Sequence, residues 1–457
     1  MKIFLPSTHP QWPQAARILE EVSISDPASI SSGDLRDFLF SMHELFSTRP
    51  SGRKFDDVPR MMDSLPEEVA SQFLHVTLPH MCRSVLTDIQ KQASDGSAWI
   101  PFLSRNEATT VSFTPWQAFI LIALSFFCIP LVMESNSDVA LDGTCHLLFT
   151  DQPKIVNKLH CLVNYFNIVV AARTGQLDSV VAGSIIGDDR SITVERLVSV
   201  DFHGSEWWAQ SEAPLVKVDL RGLFERIESF PDAVHADFAN KHLGGGVLRK
   251  GCVQEEIRFM VSPECLLSVF LCESMAENEA VIIQNTLQFN TYSGYGSSFK
   301  CLGFSSGLLS LLKGDTQSVV LDDVICFDAI PFGPEAPTQF RLHNILRELE
   351  KCRAALSFYG VKPFATGNWG CGVFGGDTQL KAVIQWLAAS VAKRPIIYFP
   401  FDDEYTSRLP DLVTIAQQQE HTVGSIFRLI LRGLVSGDIR ACSTIDFLLK
   451  ELRTQKG

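Results

Sequence analysis

The sequence predicts an α/β fold in which a sheet is sandwiched by helices and preceded by an α-helical accessory region. Three observations carry that prediction. Apolar residues early in the chain recur at helical spacing, short apolar runs alternate with helix starts in the second half, and glycine clusters fall where strands end.

In chain order, Leu35, Phe38, Leu39, Met42 and Leu45 recur at spacings of three and four, which puts one apolar stripe on a helix beginning near Ser32. Pro66 and Pro79 open two more candidate helices. The uncharged stretch Ala108 to Met133 could be mistaken for a membrane span, but Thr114-Pro115-Trp116-Gln117 makes a capping box and Pro130 stops the helix short of the ~20 residues a bilayer needs. A buried core helix is expected, and no membrane partner. The acidic, polar stretch Glu134 to Asp142 is the candidate boundary, giving a helical accessory region over 1–136 and an α/β domain over 137–457. Up to about Asp201 the pattern is ambiguous. Strands are then expected at Leu215 to Leu220, Ala233 to Phe238, Ala280 to Ile283, Val324 to Ile330 and Pro395 to Phe401, with helices starting near Ser262-Pro263, Pro337, Asp377 and Thr422.

Composition narrows the function. With 46% apolar and 20% charged residues over 457 positions, the chain can build an ample core. A formal charge of −13 argues against gripping DNA by bulk electrostatics, so any anionic ligand must be held locally. Twelve cysteines without a CxxC pair, and no signal peptide at the start, are expected to be reduced thiols in an intracellular protein; zinc is not indicated.

Two glycine loops stand out. The first, from Asp237 to Arg258, places Gly244, Gly245 and Gly246 ahead of the acidic pair Glu255 and Glu256. Its bare N–H groups suit phosphate; a surface turn with carboxylates in the first turn of a helix reads equally from the residues. The second, Gly370-Cys-Gly372-Val-Phe-Gly375, matches GxGxxG and is followed by Asp402 and Asp403, the pattern of a dinucleotide site in a nicotinamide-dependent oxidoreductase. Against that reading, Gly367, Asn368 and Trp369 separate the strand from the first motif glycine, and the helix starts only at Asp377, too late to put its N-terminus on a pyrophosphate.

Taken together, DFAN (Asp237 to Asn240), GGG, QEE (Gln254 to Glu256), YSGY (Tyr292 to Tyr295), ATGNWGCGVFGGD (Ala365 to Asp377) and YFPF (Tyr398 to Phe401), with a fainter echo in KLHCLVNYF (Lys158 to Phe166), resemble the poly(ADP-ribose) glycohydrolases. The resemblance implies a macrodomain-like mixed sheet and hydrolysis of ribose–ribose bonds in poly(ADP-ribose) carried on modified proteins, mainly from the free end, with ADP-ribose as product. It implies no cofactor or metal, and a nuclear or cytoplasmic place.

Most glycosidases set two carboxylates on opposite faces of the sugar, which adjacent residues cannot do, so one of the pair must carry the proton work. The resemblance makes that Glu256, with Glu255 and Asn240 holding ribose hydroxyls and Asp237 in support; a capping aspartate is the other reading of Asp237. It makes Gly244, Gly245 and Gly246 part of the substrate-binding site. Asn368, Gly370, Gly372, Val373, Phe374 and Gly375 belong to a loop round the diphosphate, and Tyr295 and Phe401 contact the ligand, Phe401 near adenine. Ile227, Glu228 and Gln254 are adenine-side candidates. Arg249 and Lys250 read either as a solvated turn or as a contact for phosphate beyond the terminal unit. A catalytically silent ADP-ribose-binding module would share the loops but has no need of the QEE carboxylates.

Overall fold

The computed structural model describes the chain except residues 1, 48–54, 97–98, 134–142, 150–151, 223–224, 316–319, 359, 402 and 455–457. The boundary stretch Glu134 to Asp142, and Asp402, therefore lie outside the described residues.

The N-terminal part is helical: α1 (Trp12–Ile24), α2 (Ser32–Phe46), α3 (Leu78–Ser94), α4 (Pro115–Phe126) and α5 (Pro153–Arg173). Helix α2 starts at Ser32, where Ser31 and Asp34 cap each other, and it buries Leu35, Phe38, Leu39 and Met42. Pro66 caps the short helix Glu67–Gln72, but Pro79 does not open a separate one. A π-helical turn, Phe73–Thr77, carries that helix straight into α3. The wider turn accommodates a residue that lacks an N–H to donate. Thr114 and Gln117 form the expected capping box of α4, which is buried along nearly its whole length. Helix α5 is the one helix among the described residues long and apolar enough to cross a membrane, and 89% of its apolar window is buried inside the fold.

Strands β1 (Thr109–Phe113), β2 (Ile192–Val198), β3 (Val218–Leu220), β4 (Val234–Ala239), β5 (Glu279–Leu287), β8 (Leu321–Asp328), β9 (Phe364–Gly367) and β10 (Ile396–Phe399) form an eight-stranded sheet in the order β1-β2-β5-β8-β4-β9-β10-β3; β6 (Asn290–Ser293) and β7 (Lys300–Phe304) form a separate hairpin. From β1 to β8 the pairs are antiparallel, and from β8 to β3 they are parallel. The sheet is thus mixed, with helices on both faces. The parallel half directs its strand ends, and the loops that follow them, toward one edge of the molecule.

Alternation along the strands sorts the core. Val281, Ile283, Val324 and Cys326 face the N-terminal helices, while Ile282, Ile325 and Phe327 face α7 (Leu342–Ala355), α8 (Thr378–Val391), α9 (Val423–Ser436) and α10 (Thr444–Thr454). Strand β1 comes from within the first 136 residues yet joins the sheet, and α5, beyond 137, packs among the N-terminal helices. The two parts interleave across the stretch where the sequence places their boundary.

Candidate active site

Strand β4 positions the site. Val234 and Ala236 face the C-terminal helices, so His235, Asp237 and Ala239 point the other way, toward the N-terminal part. Strand β9 pairs with β4 only at Val234 and His235 and then diverges. Beyond that pairing, the Ala236 carbonyl and the Phe238 N–H on this edge are taken up by the side chain of Gln254. Its Oε1 accepts from Phe238 N at 2.8 Å and its Nε2 donates to Ala236 O at 3.0 Å. Gln254, expected on the adenine side, thus docks the helix α6 (Gln254–Val261) against the strand end.

That docking places Glu255 and Glu256 in the first turn of α6, where unbonded N–H groups favour anions. Glu255 is 3% exposed and Glu256 5%. Glu255 accepts from Asn240 N at 3.0 Å and Gly244 N at 2.7 Å; Glu256 accepts from Gly246 N at 2.8 Å and Val253 N at 2.7 Å. The GGG loop therefore wraps the two carboxylates. Gly245, left-handed at φ +50°, lies on the surface between them, and a Cβ there would fall 2.7 Å from Glu255 Oε2 and 2.8 Å from Glu256 Oε1. Only glycine leaves this approach open. The phosphate reading of the loop is corrected here: the N–H groups of Gly244 and Gly246 are taken by the glutamates and that of Gly245 by His242 O, so none is left for an anion.

Asp237 sits fully buried below the pair, 0% exposed, with no hydrogen-bond partner for either carboxylate oxygen. Burial pushes its pKa up to about 8, the nearby Glu256 charge adds to this, and the Cys326 thiol opposite it on β8 and Arg258 act against it. Glu255 is also raised above its ordinary value, chiefly by burial, while the N–H groups of Asn240 and Gly244 pull the other way. Glu255 accepts two backbone N–H bonds and Asp237 none, which puts the negative charge on Glu255 and the proton on Asp237. A capping role for Asp237 is thereby excluded.

The second loop follows β9. It closes on itself through Gly376 N donating to Gly370 O at 2.9 Å, and α8 begins beyond it, capped by Asp377. The dinucleotide reading fails on this geometry, because the glycines do not lead onto the helix N-terminus. Asp403 caps a short 3-10 turn, accepting from Tyr405 N at 2.8 Å. The N–H groups of Gly372, Val373 and Phe374 make no hydrogen bond among the described residues, so this loop offers the anion nest that the first does not. Gly370, at φ +73°, leaves no room for a side chain: a Cβ would lie 2.5 Å from that of Ala329. Asn368 ties the ends of β9 and β10, donating to Pro400 O at 2.7 Å and accepting from the Tyr398 hydroxyl at 2.9 Å.

Phe401 has a left-handed backbone, φ +47°, which is costly for an aromatic residue and holds its ring out at the strand ends, 37% exposed and edge-on to Phe238 at 6.2 Å. Tyr295, on the β6–β7 hairpin, accepts from Gln254 N at 3.2 Å and leaves its ring exposed over the start of α6. Ile227 is buried in a small core cluster with Ala365 and Phe399, so its side chain supports the wall rather than facing a ligand, and Glu228 is half-buried beside it. Arg249 and Lys250 lie exposed on the outer turn of the first loop. Sequence reasoning missed two buried lysines behind the loops: Lys381, paired with Glu348 and 4.1 Å from the Trp369 ring centroid, and Lys158 on α5. For Lys158 the KLHCLVNYF string was the available signal.

The chain is similar to known proteins along most of its length. The family model described as poly(ADP-ribose) glycohydrolase, helical domain, matches residues 65–182, and that for its Macro domain fold matches 205–408. Poly(ADP-ribose) glycohydrolase 1 of Arabidopsis thaliana is 26% identical over 470 residues, covering 86% of this chain and 80% of its own length. A probable poly(ADP-ribose) glycohydrolase 2 of the same plant is 27% identical, covering 80% and 79%. Poly(ADP-ribose) glycohydrolase 1 of Caenorhabditis elegans is 32% identical over 302 residues, 63% of this chain and 36% of the relative. With the helical and Macro-fold parts matched in order over more than two thirds of its residues, the chain belongs to the poly(ADP-ribose) glycohydrolase family.

Proposed function

We propose that this protein is a glycosidase that cleaves ribose–ribose O-glycosidic bonds in poly(ADP-ribose) on modified proteins and releases ADP-ribose, working mainly from the free end of the polymer. One observation carries the reading beyond family membership: a single glycine loop gathers two adjacent carboxylates and leaves an approach open past Gly245. Both acids reach the ligand from one side, which suits one residue as acid and then base. Glu256 donates a proton to the departing 2′-oxygen of the neighbouring ribose and then takes one from the attacking water. Each of its oxygens carries one backbone bond and keeps a lone pair for that exchange. Glu255 and Asn240 hold ribose hydroxyls, and the Glu255 charge steadies the developing ribose cation. The nest at Gly372 to Phe374 takes the diphosphate, which is how a chain of charge −13 holds an anion. Tyr295 and Phe401 close over ribose and adenine. Twelve free thiols fit an intracellular setting, in the nucleus or cytoplasm.

Incubating the protein with poly(ADP-ribose) and measuring free ADP-ribose tests the reading, with Glu256→Gln alongside. The amide keeps size and polarity but has no acidic proton, so release is lost while ADP-ribose affinity stays within about threefold. A wild-type protein that binds ADP-ribose but releases none is a binding module instead, and turnover in the variant within about tenfold of wild type removes Glu256 from the acid role.

A further inference from the structure

Lys158 lies on α5, in the helical part of the chain, and is 0% exposed. Its ammonium donates to three carbonyls of the loop that wraps Glu256: Gly246 O at 3.3 Å, Arg249 O at 2.9 Å and Gly251 O at 2.6 Å. Three carbonyl dipoles aimed at one point repel one another, and a cation with three donors reverses that repulsion. The same loop residues are the ones in touch with the acid. Gly246 N donates to Glu256 Oε1, and a Cβ on Gly251 would fall 2.5 Å from that oxygen. Turning the Gly246 or Gly251 peptides outward would thus move the groups that fix Glu256.

We propose that Lys158 is a positioning residue for Glu256: from the helical region it holds the 246–251 loop in the shape that aims the acid at the glycosidic oxygen. This rests on the reading of Glu256 as the acid. It makes cleavage depend on a residue that touches no substrate and lies about ninety positions upstream of the loop it holds. The charged or titratable groups facing the ammonium are Lys154 and Cys161, each about one turn away on α5, Cys145 from the turn Cys145–Leu148, and Cys252 and Glu256 from the loop and α6. Burial lowers the Lys158 pKa to about 8, with Cys252 and Glu256 acting in the opposite direction. Burial pushes the thiols up, Cys252 to about 11 and Cys145 to about 12, so they stay neutral where Lys158 loses its charge. The neutral amine has two N–H groups for three carbonyls, and the clamp loosens as pH rises through that point.

The experiment compares wild type, Lys158→Met and Lys158→Arg for ADP-ribose release from poly(ADP-ribose) across pH, for ADP-ribose affinity by calorimetry, and for Tm. Lys158→Met is expected to lower kcat by about 100-fold or more with ADP-ribose Kd within about threefold, because the diphosphate loop is held by other residues. Wild type should lose activity above about pH 8, and Lys158→Arg, whose guanidinium does not deprotonate, should keep at least about a tenth of kcat and lose a smaller share of it there, the remainder belonging to Asp237. With an active wild type, a Lys158→Met kcat within about fivefold of normal overturns the proposal, as does an equal loss of kcat and ADP-ribose affinity. If Lys158→Met does not fold, Lys158→Arg decides, and an unchanged alkaline limb there is equally fatal. A wild type that releases no ADP-ribose overturns the reading of Glu256, and this proposal with it.

Discussion

Asp237 is a carboxyl group that the fold keeps because it is neutral. Buried with neither oxygen bonded, it would be costly as an anion, and its pKa rises to about 8 in the folded state from the ordinary 3.8 of an aspartate. The folded protein therefore binds a proton that the unfolded chain releases between those two values. The resulting stability is complete below about pH 4 and is lost as pH climbs through about 8. Asp237→Asn, uncharged throughout, should flatten the fall in Tm over that window. Thermal melts at several pH values check this; parallel Tm curves for the two proteins would refute a proton on Asp237. Single residues were unequally legible. The two glutamates and the glycines stood in one string, whereas Lys158 and Gln254 act through backbone atoms of other segments, which composition and spacing do not encode.

At the level of elements, helices announced themselves by their caps: α2 at Ser31 and Asp34, α4 at Thr114 and Gln117, α8 at Asp377, α9 at Thr422. Strand β2 did not. Its inward position at Arg196 is charged and becomes buried only by pairing with Glu279 of β5 at 2.6 Å, so the alternation is broken by a contact the local sequence cannot show. Pro79 misled for a related reason, since the π-helical turn that absorbs it is set by packing and not by composition. The end of β10 carries its own prediction. Phe401 holds its ring out through a left-handed backbone and leans on Gly367, where a Cβ would lie 2.6 Å from the ring. The adenine stacking proposed for this ring would be present in ground and transition states alike, so Phe401→Ala should raise KM by about tenfold and lower kcat by less than about threefold. Steady-state kinetics on poly(ADP-ribose) separate the two, and a loss confined to kcat would count against a stacking role.

For the whole molecule, the question is which end of a polymer a site built for one ADP-ribose unit prefers. An internal unit carries a further ribose on its adenosine side, which the proposed reading puts at Phe401 and the second loop, so end units should bind better and exclude water from the developing cation. Early time points on long chains should yield monomeric ADP-ribose first; short oligomers as the dominant first product would overturn this preference. The order of strands in the sheet has one more effect. Strand β4, which ends on the site, is flanked by β8 and β9, and both come later in the chain, at residues 321–328 and 364–367. During synthesis β4 and both glutamates emerge long before either neighbour exists, and such unpaired strand edges are prone to wrong partners. A nascent chain released after α6 but before β9 carries Asp237, Glu255 and Glu256 without the strand that lies beside β4 in the finished protein, and it ends before the second glycine loop has been made.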